Sequence, residues 1–220
     1  MTCLCDIIKK KQKENKKMVI NIGEHLFKLV QEKNIPFGDI QLPDEKIDTD
    51  KIKVIMINEV PPENPRDYFY SKSTSPDYMK TTLGLFHNAG VSANSIQDIL
   101  DMGIYITTAV KSPKTGYAVD TDKIIEHLPV LEEEINLFPN LRVIMLMGDV
   151  AKKAFNMIAK KNTKKNCIPA GSTYKIRENE FYYGDIRVFP SYIMTGGNIL
   201  IEKSKGTMIS DDIKRMRKFV

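Results

Sequence analysis

A chain of 220 residues with 42% hydrophobic side chains is long enough for one domain with a real core. The formal charge of +5 is mildly basic, which permits nucleic acid as a partner without demanding it. No apolar stretch approaches the length of a bilayer-spanning helix, so no membrane partner is expected.

Cys3, Cys5 and Cys167 form no disulfide framework and point to a reducing cytoplasm. Cys3-Leu4-Cys5 lacks a second pair to complete a tetrahedral site, so these read as plain thiols and no metal is expected. Residues 1–17 form a lysine-rich segment that reads as the charged start of a helix rather than a targeting peptide. Residues 18–220 read as a single domain, expected to be monomeric.

From Met18 to Asn34 the spacing predicts a helix with Ile22, Leu26, Leu29 and Val30 on one face, ended by Pro36 and Gly38. Residues 36–50 read as a surface connection. Lys53 to Ile57 is a near-continuous apolar run, as in a strand covered on both faces. An irregular stretch follows, with Pro61, Pro62 and Pro65 and the aromatic cluster Tyr68-Phe69-Tyr70. Ser75-Pro76 reads as a cap and first helical position, with Met79, Leu83 and Phe86 buried and Gly90 as the stop.

A short helix capped by Ser95 is expected to reach Leu100. Ile104-Tyr105-Ile106 is the second strand, and Thr121 caps a helix to about Leu137. Ile124, Ile125, Leu128, Leu131 and Ile135 are expected inward, with Pro129 a possible kink. Leu141 to Met147 is the third strand, and Gly148-Asp149 turns into a helix from Val150 to Lys160. Lys160, Lys161, Lys164 and Lys165 read as a solvated basic loop. Tyr174 to Ile186 alternates weakly, like a hairpin excursion. Ile186 to Phe189 is the fourth core strand, and a last helix spans Thr207 to Phe219.

Alternating strands and helices predict a three-layer α/β/α sandwich around a central, mainly parallel four-stranded sheet. Ligand sites in such sheets lie beyond the carboxyl ends of the strands, here the loops at Asn58, Thr107, Gly148 and Pro190. One loop, Asn58-Glu59-Val60-Pro61-Pro62, offers a carboxylate fixed by prolines. Another, Pro190 to Asn198, runs on to Lys205 and offers glycines, hydroxyls and lysines suited to a phosphate backbone.

Three stretches resemble the uracil-DNA glycosylase superfamily, especially its compact bacterial and archaeal branches, over roughly residues 50–218. Val54 to Pro62 resembles the family's first motif, usually Gly-Glu-Ala-Pro-Gly after a strand. Ile104 to Lys111 resembles the central Tyr-Ile-Thr-Asn-Val-Val-Lys strand, and Pro190 to Lys205 stands where the second motif, commonly His-Pro-Ser, is found. The departures are specific. The uracil-reading asparagine corresponds to Thr108, and the motif histidine to Ile193 or, in a second register, Phe189. Two iron–sulfur ligand positions correspond to Ser112 and His127, so no cofactor is expected.

The resemblance implies a hydrolase that cleaves the N-glycosidic bond of uracil or another damaged base in DNA, flipped from a single or double strand, for base excision repair. Glu59 is the candidate for stabilising the sugar cation and orienting water, with Asn58 beside it; the competing role is a turn cap. Phe69 or Tyr70 is expected to stack on the base, and Thr107 and Thr108 to bond it. Ser191, Thr195, Gly196, Gly197 and Asn198, with Lys203 and Lys205, are expected to hold DNA phosphates. Two alternatives stay open, a nucleic-acid-binding relative without catalysis and an enzyme acting on free nucleosides or nucleotides.

Overall fold

The computed structural model describes residues 19–36, 38–196, 199 and 202–220; the lysine-rich residues 1–17, with Cys3 and Cys5, and the expected phosphate ligands Gly197 and Asn198 lie outside the described residues. Strand β1 (Val19–Asn21) leads directly into α1 (Ile22–Glu32), which buries Ile22, Leu26 and Val30. The helix starts where it does because the Asn21 side chain accepts a hydrogen bond from the Glu24 amide at 3.1 Å, satisfying a donor that the first turn leaves open. The segment expected to be a plain connection contains a short strand, β2 (Lys46–Asp48), antiparallel to β1, with Ile47 buried between them and the core.

The central sheet is formed by β3 (Val54–Asn58), β4 (Ile104–Thr108), β5 (Val143–Met147), β6 (Phe181–Tyr183) and β7 (Ile186–Ser191), in the order β4-β3-β5-β7-β6. Strands β4, β3, β5 and β7 run parallel, and β6 is an antiparallel edge. The sheet therefore has five strands where four were expected. The additional one comes from the weakly alternating segment: Gly184, at φ +61°, allows a two-residue turn that pairs Tyr183 with Ile186. Every residue of β3, β4 and β5 is buried, as continuous apolar runs require when helices cover both faces.

The covering helices are α2 (Asp77–Asn88), α3 (Ile96–Asp101), α4 (Thr121–Asn136), α5 (Asp149–Thr163), α6 (Thr173–Ile176) and α7 (Lys203–Met216). Helix α4 packs against α1 and α5, and α2 packs against α7, giving the three-layer α/β/α sandwich. Helix α4 runs through Pro129 and buries Ile124, Leu131 and Ile135. Ile125, expected inward, is exposed, because the inward stripe is completed by His127 and Glu134 at helical spacing instead. Helix α7 begins four residues earlier than Thr207, at Lys203.

Glu134 lies in α4 with no exposed surface, and faces Lys111 just beyond β4, also fully buried. The Lys111 Nζ donates to Glu134 Oε2 at 2.5 Å, to the Thr107 hydroxyl at 2.8 Å and to the Thr108 carbonyl at 2.5 Å, which uses all three ammonium protons. The other carboxylate oxygen accepts from the Tyr105 hydroxyl at 2.6 Å and from Thr107 Oγ1 at 2.8 Å. Burial pulls the lysine pKa down and the Glu134 charge pulls it back up. Removing one partner strands the other in a dry interior. Lys111→Met is therefore expected to cost about 3–5 kcal/mol in urea unfolding. Lys111→Met combined with Glu134→Leu should recover part of that loss, since no buried charge then remains.

Candidate functional site

The ends of the four parallel strands lie along one edge of the sheet. Asn58 pairs with Thr108, Ile57 with Leu146 and Met147 with Ser191, so the loops that follow emerge side by side. They enclose a cavity of about 620 Å³ lined by Glu59 and Val60 from the first loop and by Tyr192, Ile193, Thr195 and Gly196 from the last. The acidic turn and the glycine–lysine segment thus face each other across one groove.

Glu59 is held firmly. Its carbonyl accepts from the Val110 amide at 3.1 Å, and its carboxylate Oε1 accepts from the Val150 amide at 3.0 Å, in the first turn of α5. Burial raises the carboxyl pKa above its ordinary 4.5, while the Val150 and Asp149 amides at the helix start oppose the rise. The carboxylate thus caps a helix and lines the cavity at once. Gly148 makes this possible. It occupies the N-cap of α5 with φ 108° and ψ 177°, a region open essentially to glycine alone. A Cβ there would run into the Glu59 carboxylate and the Ile193 side chain.

Of the other expected ligands, Thr195, Gly196 and Lys205 reach the cavity. Gly196 has φ +90°, so the backbone turn at the rim requires glycine. Lys205 is ion-paired with Glu202 and lies 5.7 Å from the centroid of the Tyr192 ring. Lys203 is exposed at the start of α7, away from the cavity lining.

The rest are placed elsewhere. Phe69 and Tyr70 do not line the cavity: both are buried, Phe69 edge-on to Tyr78 at 5.2 Å between centroids and Tyr70 donating to the Ile106 carbonyl at 2.7 Å. Their rings fill the core over β4 and offer no free face to a base. Ser191 is also buried, and its hydroxyl donates to Asp212 Oδ2 at 2.7 Å. Asp212 is clamped in turn by Arg177 at 2.9 Å, so this serine fastens β7 to α7 instead of meeting a phosphate. Thr107 is consumed by the Lys111–Glu134 pair.

Asn58 and Thr108 end β3 and β4, fully buried and outside the cavity lining. Asn58 Nδ2 donates to the Thr107 carbonyl at 3.4 Å, but Asn58 Oδ1 is buried without a hydrogen-bond partner, and the buried Thr108 and Tyr68 hydroxyls have only each other nearby. Such orphaned groups cost about 1–3 kcal/mol each in a stability balance. Burial holds the Tyr68 phenol far above its usual range.

Sequence reasoning missed Tyr78, Tyr174, Tyr192 and Lys114, all of which line the cavity. The Tyr78 hydroxyl donates to the Val60 carbonyl at 3.4 Å, and the ring bridges the two loops. Tyr192 stands inside the segment singled out for phosphate binding and was the one with a sequence signal. Tyr78 sits in the first turn of an amphipathic helix, where nothing in the spacing separates a rim residue from a core one.

The two positions matched to iron–sulfur ligands are in contact with each other, Ser112 Oγ and His127 Nε2 at 3.3 Å. Among the described residues no group of three or more His, Cys, Asp or Glu side chains converges on a metal position. Cys167 is a free, half-buried thiol whose pKa burial raises to about 11.

Two measurements follow from this geometry. Gly148→Ala should lower stability by about 1–3 kcal/mol through the imposed backbone strain, and should also displace the Glu59 carboxylate, visible as a changed pH dependence of any ligand bound in the cavity. The second concerns His127, whose pKa is lowered from 6.5 to about 4, first by burial and then by Lys123. The unfolded chain takes up this proton near pH 6.5 while the folded one refuses it until about pH 4. Stability present above pH 6.5 is therefore lost as pH falls through that window, at no more than about 1.4 kcal/mol per unit. His127→Leu should flatten that part of the denaturation profile.

A scan of protein-family models finds no match to this chain, and a search of curated proteins finds none either.

Proposed function

We propose that the cavity is the active site of a metal-independent DNA N-glycosylase of the uracil-DNA glycosylase kind, releasing uracil or another damaged base. The observation that carries this reading is the position of Glu59: a partly desolvated carboxylate, oriented by a helix amide, directly across a nucleoside-sized cavity from Thr195 and Gly196.

In this reaction the C1′–N bond breaks and the base leaves with the bonding pair. Water's oxygen bonds to C1′, Glu59 accepts one of its protons, and the departing base takes up a proton from solvent. Glu59 then returns its proton to solvent. The Val150 amide fixes Oε1, and the water is assigned to the other carboxylate oxygen. A raised pKa makes the carboxylate a stronger base than a free one. The sugar cation that develops is stabilised by the same negative charge. Tyr78 and Tyr192 supply the aromatic surface that was expected from Phe69 and Tyr70. Asn58 Oδ1, buried without a partner one residue before Glu59, supports base reading there.

A second reading, turnover of free nucleosides, is favoured by the cavity's charge. Glu59, Asp149 and Glu202 line it against Lys114 and Lys205, which suits an uncharged ligand.

Glu59→Gln separates catalysis from capping. The amide oxygen still accepts from Val150, so folding and DNA binding should persist while base release falls about 100- to 10,000-fold. Chromatography of free base from lesion-bearing single-stranded and duplex oligonucleotides measures it. No release by the unmodified protein, or full release by the variant, removes the proposal. Because the ionised carboxylate is the working form, kcat/KM should rise with pH through an acid limb whose midpoint lies above 4.5.

A further inference from the structure

The charged side chains that line the cavity are Glu59, Lys114, Asp149, Glu202 and Lys205, and most of them are neutralised in pairs. Asp149 Oδ1 accepts from the Lys152 ammonium at 2.6 Å. Lys152 is almost buried and is held by a second bond to the Thr173 hydroxyl at 2.9 Å. Glu202 is ion-paired with Lys205 at the start of α7. That leaves Glu59 and Lys114, one charge of each sign, outside these pairs.

Neighbouring strand ends place the two. Glu59 follows β3 and Lys114 lies beyond β4, the adjacent parallel strand. The Val110 amide, bonded to the Glu59 carbonyl at 3.1 Å, ties the second loop to the first. Three residues before Lys114, the Lys111 ammonium is locked on Glu134, which fixes the root of that loop. Lys114 is near enough for its charge to draw the Glu59 carboxyl down, against the rise that burial imposes. The lysine itself is exposed, so its ammonium is free to turn toward a bound ligand.

A neutral base gains little from such a pair while its bond to the sugar is intact. As the C1′–N bond breaks, its electron pair goes to the base, and positive charge grows on the sugar. Opposite charges at the two ends of that bond favour the separated state over the intact one, which speeds the reaction instead of merely tightening binding. We infer that Lys114 is a second catalytic residue, whose ammonium donates to the leaving base and takes up its negative charge while Glu59 faces the sugar. Lys114 keeps its proton throughout, and solvent protonates the base after it departs. The inference rests on the glycosylase reading and deepens it by naming the substrate class, bases that leave as anions.

Release by the full chain from oligonucleotides carrying uracil, 5-fluorouracil, hypoxanthine or xanthine tests this, with the bases ordered by the acidity of the free base. Lys114→Met keeps the reach of the side chain and removes the charge. It should slow uracil release about 10- to 100-fold, less than a buried donor is worth because Lys114 is exposed. The loss should shrink for 5-fluorouracil and, between the purines, for xanthine, because a more acidic base needs less help to leave. A purely structural role would slow every base alike. Lys114→Arg should keep both the rate and its dependence on acidity. Unchanged release in Lys114→Met, or a loss of equal size for every base, overturns the inference while leaving the glycosylase reading standing. No release of any of these bases by the unmodified protein overturns both.

Discussion

The buried Lys111–Glu134 pair is the interaction on which the rest of the site depends. It ties the end of β4 to α4 from below, and every polar atom of the pair has a partner. Strand β4 is an edge in the hydrogen-bonding order, so its end has a neighbour on one side only. Without an internal anchor, the turn after Thr108 would have little to fix it beyond the pairing to β3. With the anchor, the Val110 amide stays where it can hold the Glu59 carbonyl, and the carboxylate inherits that position. A buried ion pair is seldom a source of net stability, because desolvation offsets the attraction. Its value here is positional.

The second constraint is steric. Glu59, Gly148 and Ile193 come from three different strand ends and crowd one small volume, which only a residue without a Cβ can join. As a cap the carboxylate satisfies a helix donor through Oε1. In the proposed reaction it must also keep an oxygen free for water. A similar division appears at β7. Ser191 looks like a ligand in sequence, yet its hydroxyl is spent on Asp212 so that the loop carrying Thr195 and Gly196 leaves the sheet from a fixed point.

Charge is distributed with the same economy. The overall excess of lysine is small, and the described surface is not uniformly basic. Carboxylates line one hollow, and in the cavity Glu59, Asp149 and Glu202 stand against Lys114 and an ion-paired Lys205. Such mixed charges act locally, since the Debye length at physiological salt is only about 8 Å.

The sequence alone determined the α/β order, the four parallel strands and the meeting of Glu59 with Thr195, Gly196 and Lys205 in one cavity at the strand ends. It could do so because apolar runs, caps and turn glycines act locally, and because a parallel sheet aligns its strand ends without further information. Only the tertiary structure decided which polar and aromatic residues are spent internally. Tyr70 and Thr107 carry the same groups as Tyr192 and Thr195, and Ser191 another hydroxyl, but these three hydroxyls are claimed by a carbonyl on β4, a glutamate on α4 and an aspartate on α7. Those partners lie 36, 27 and 21 positions away along the chain, and no local pattern records a contact that exists only after the layers have packed.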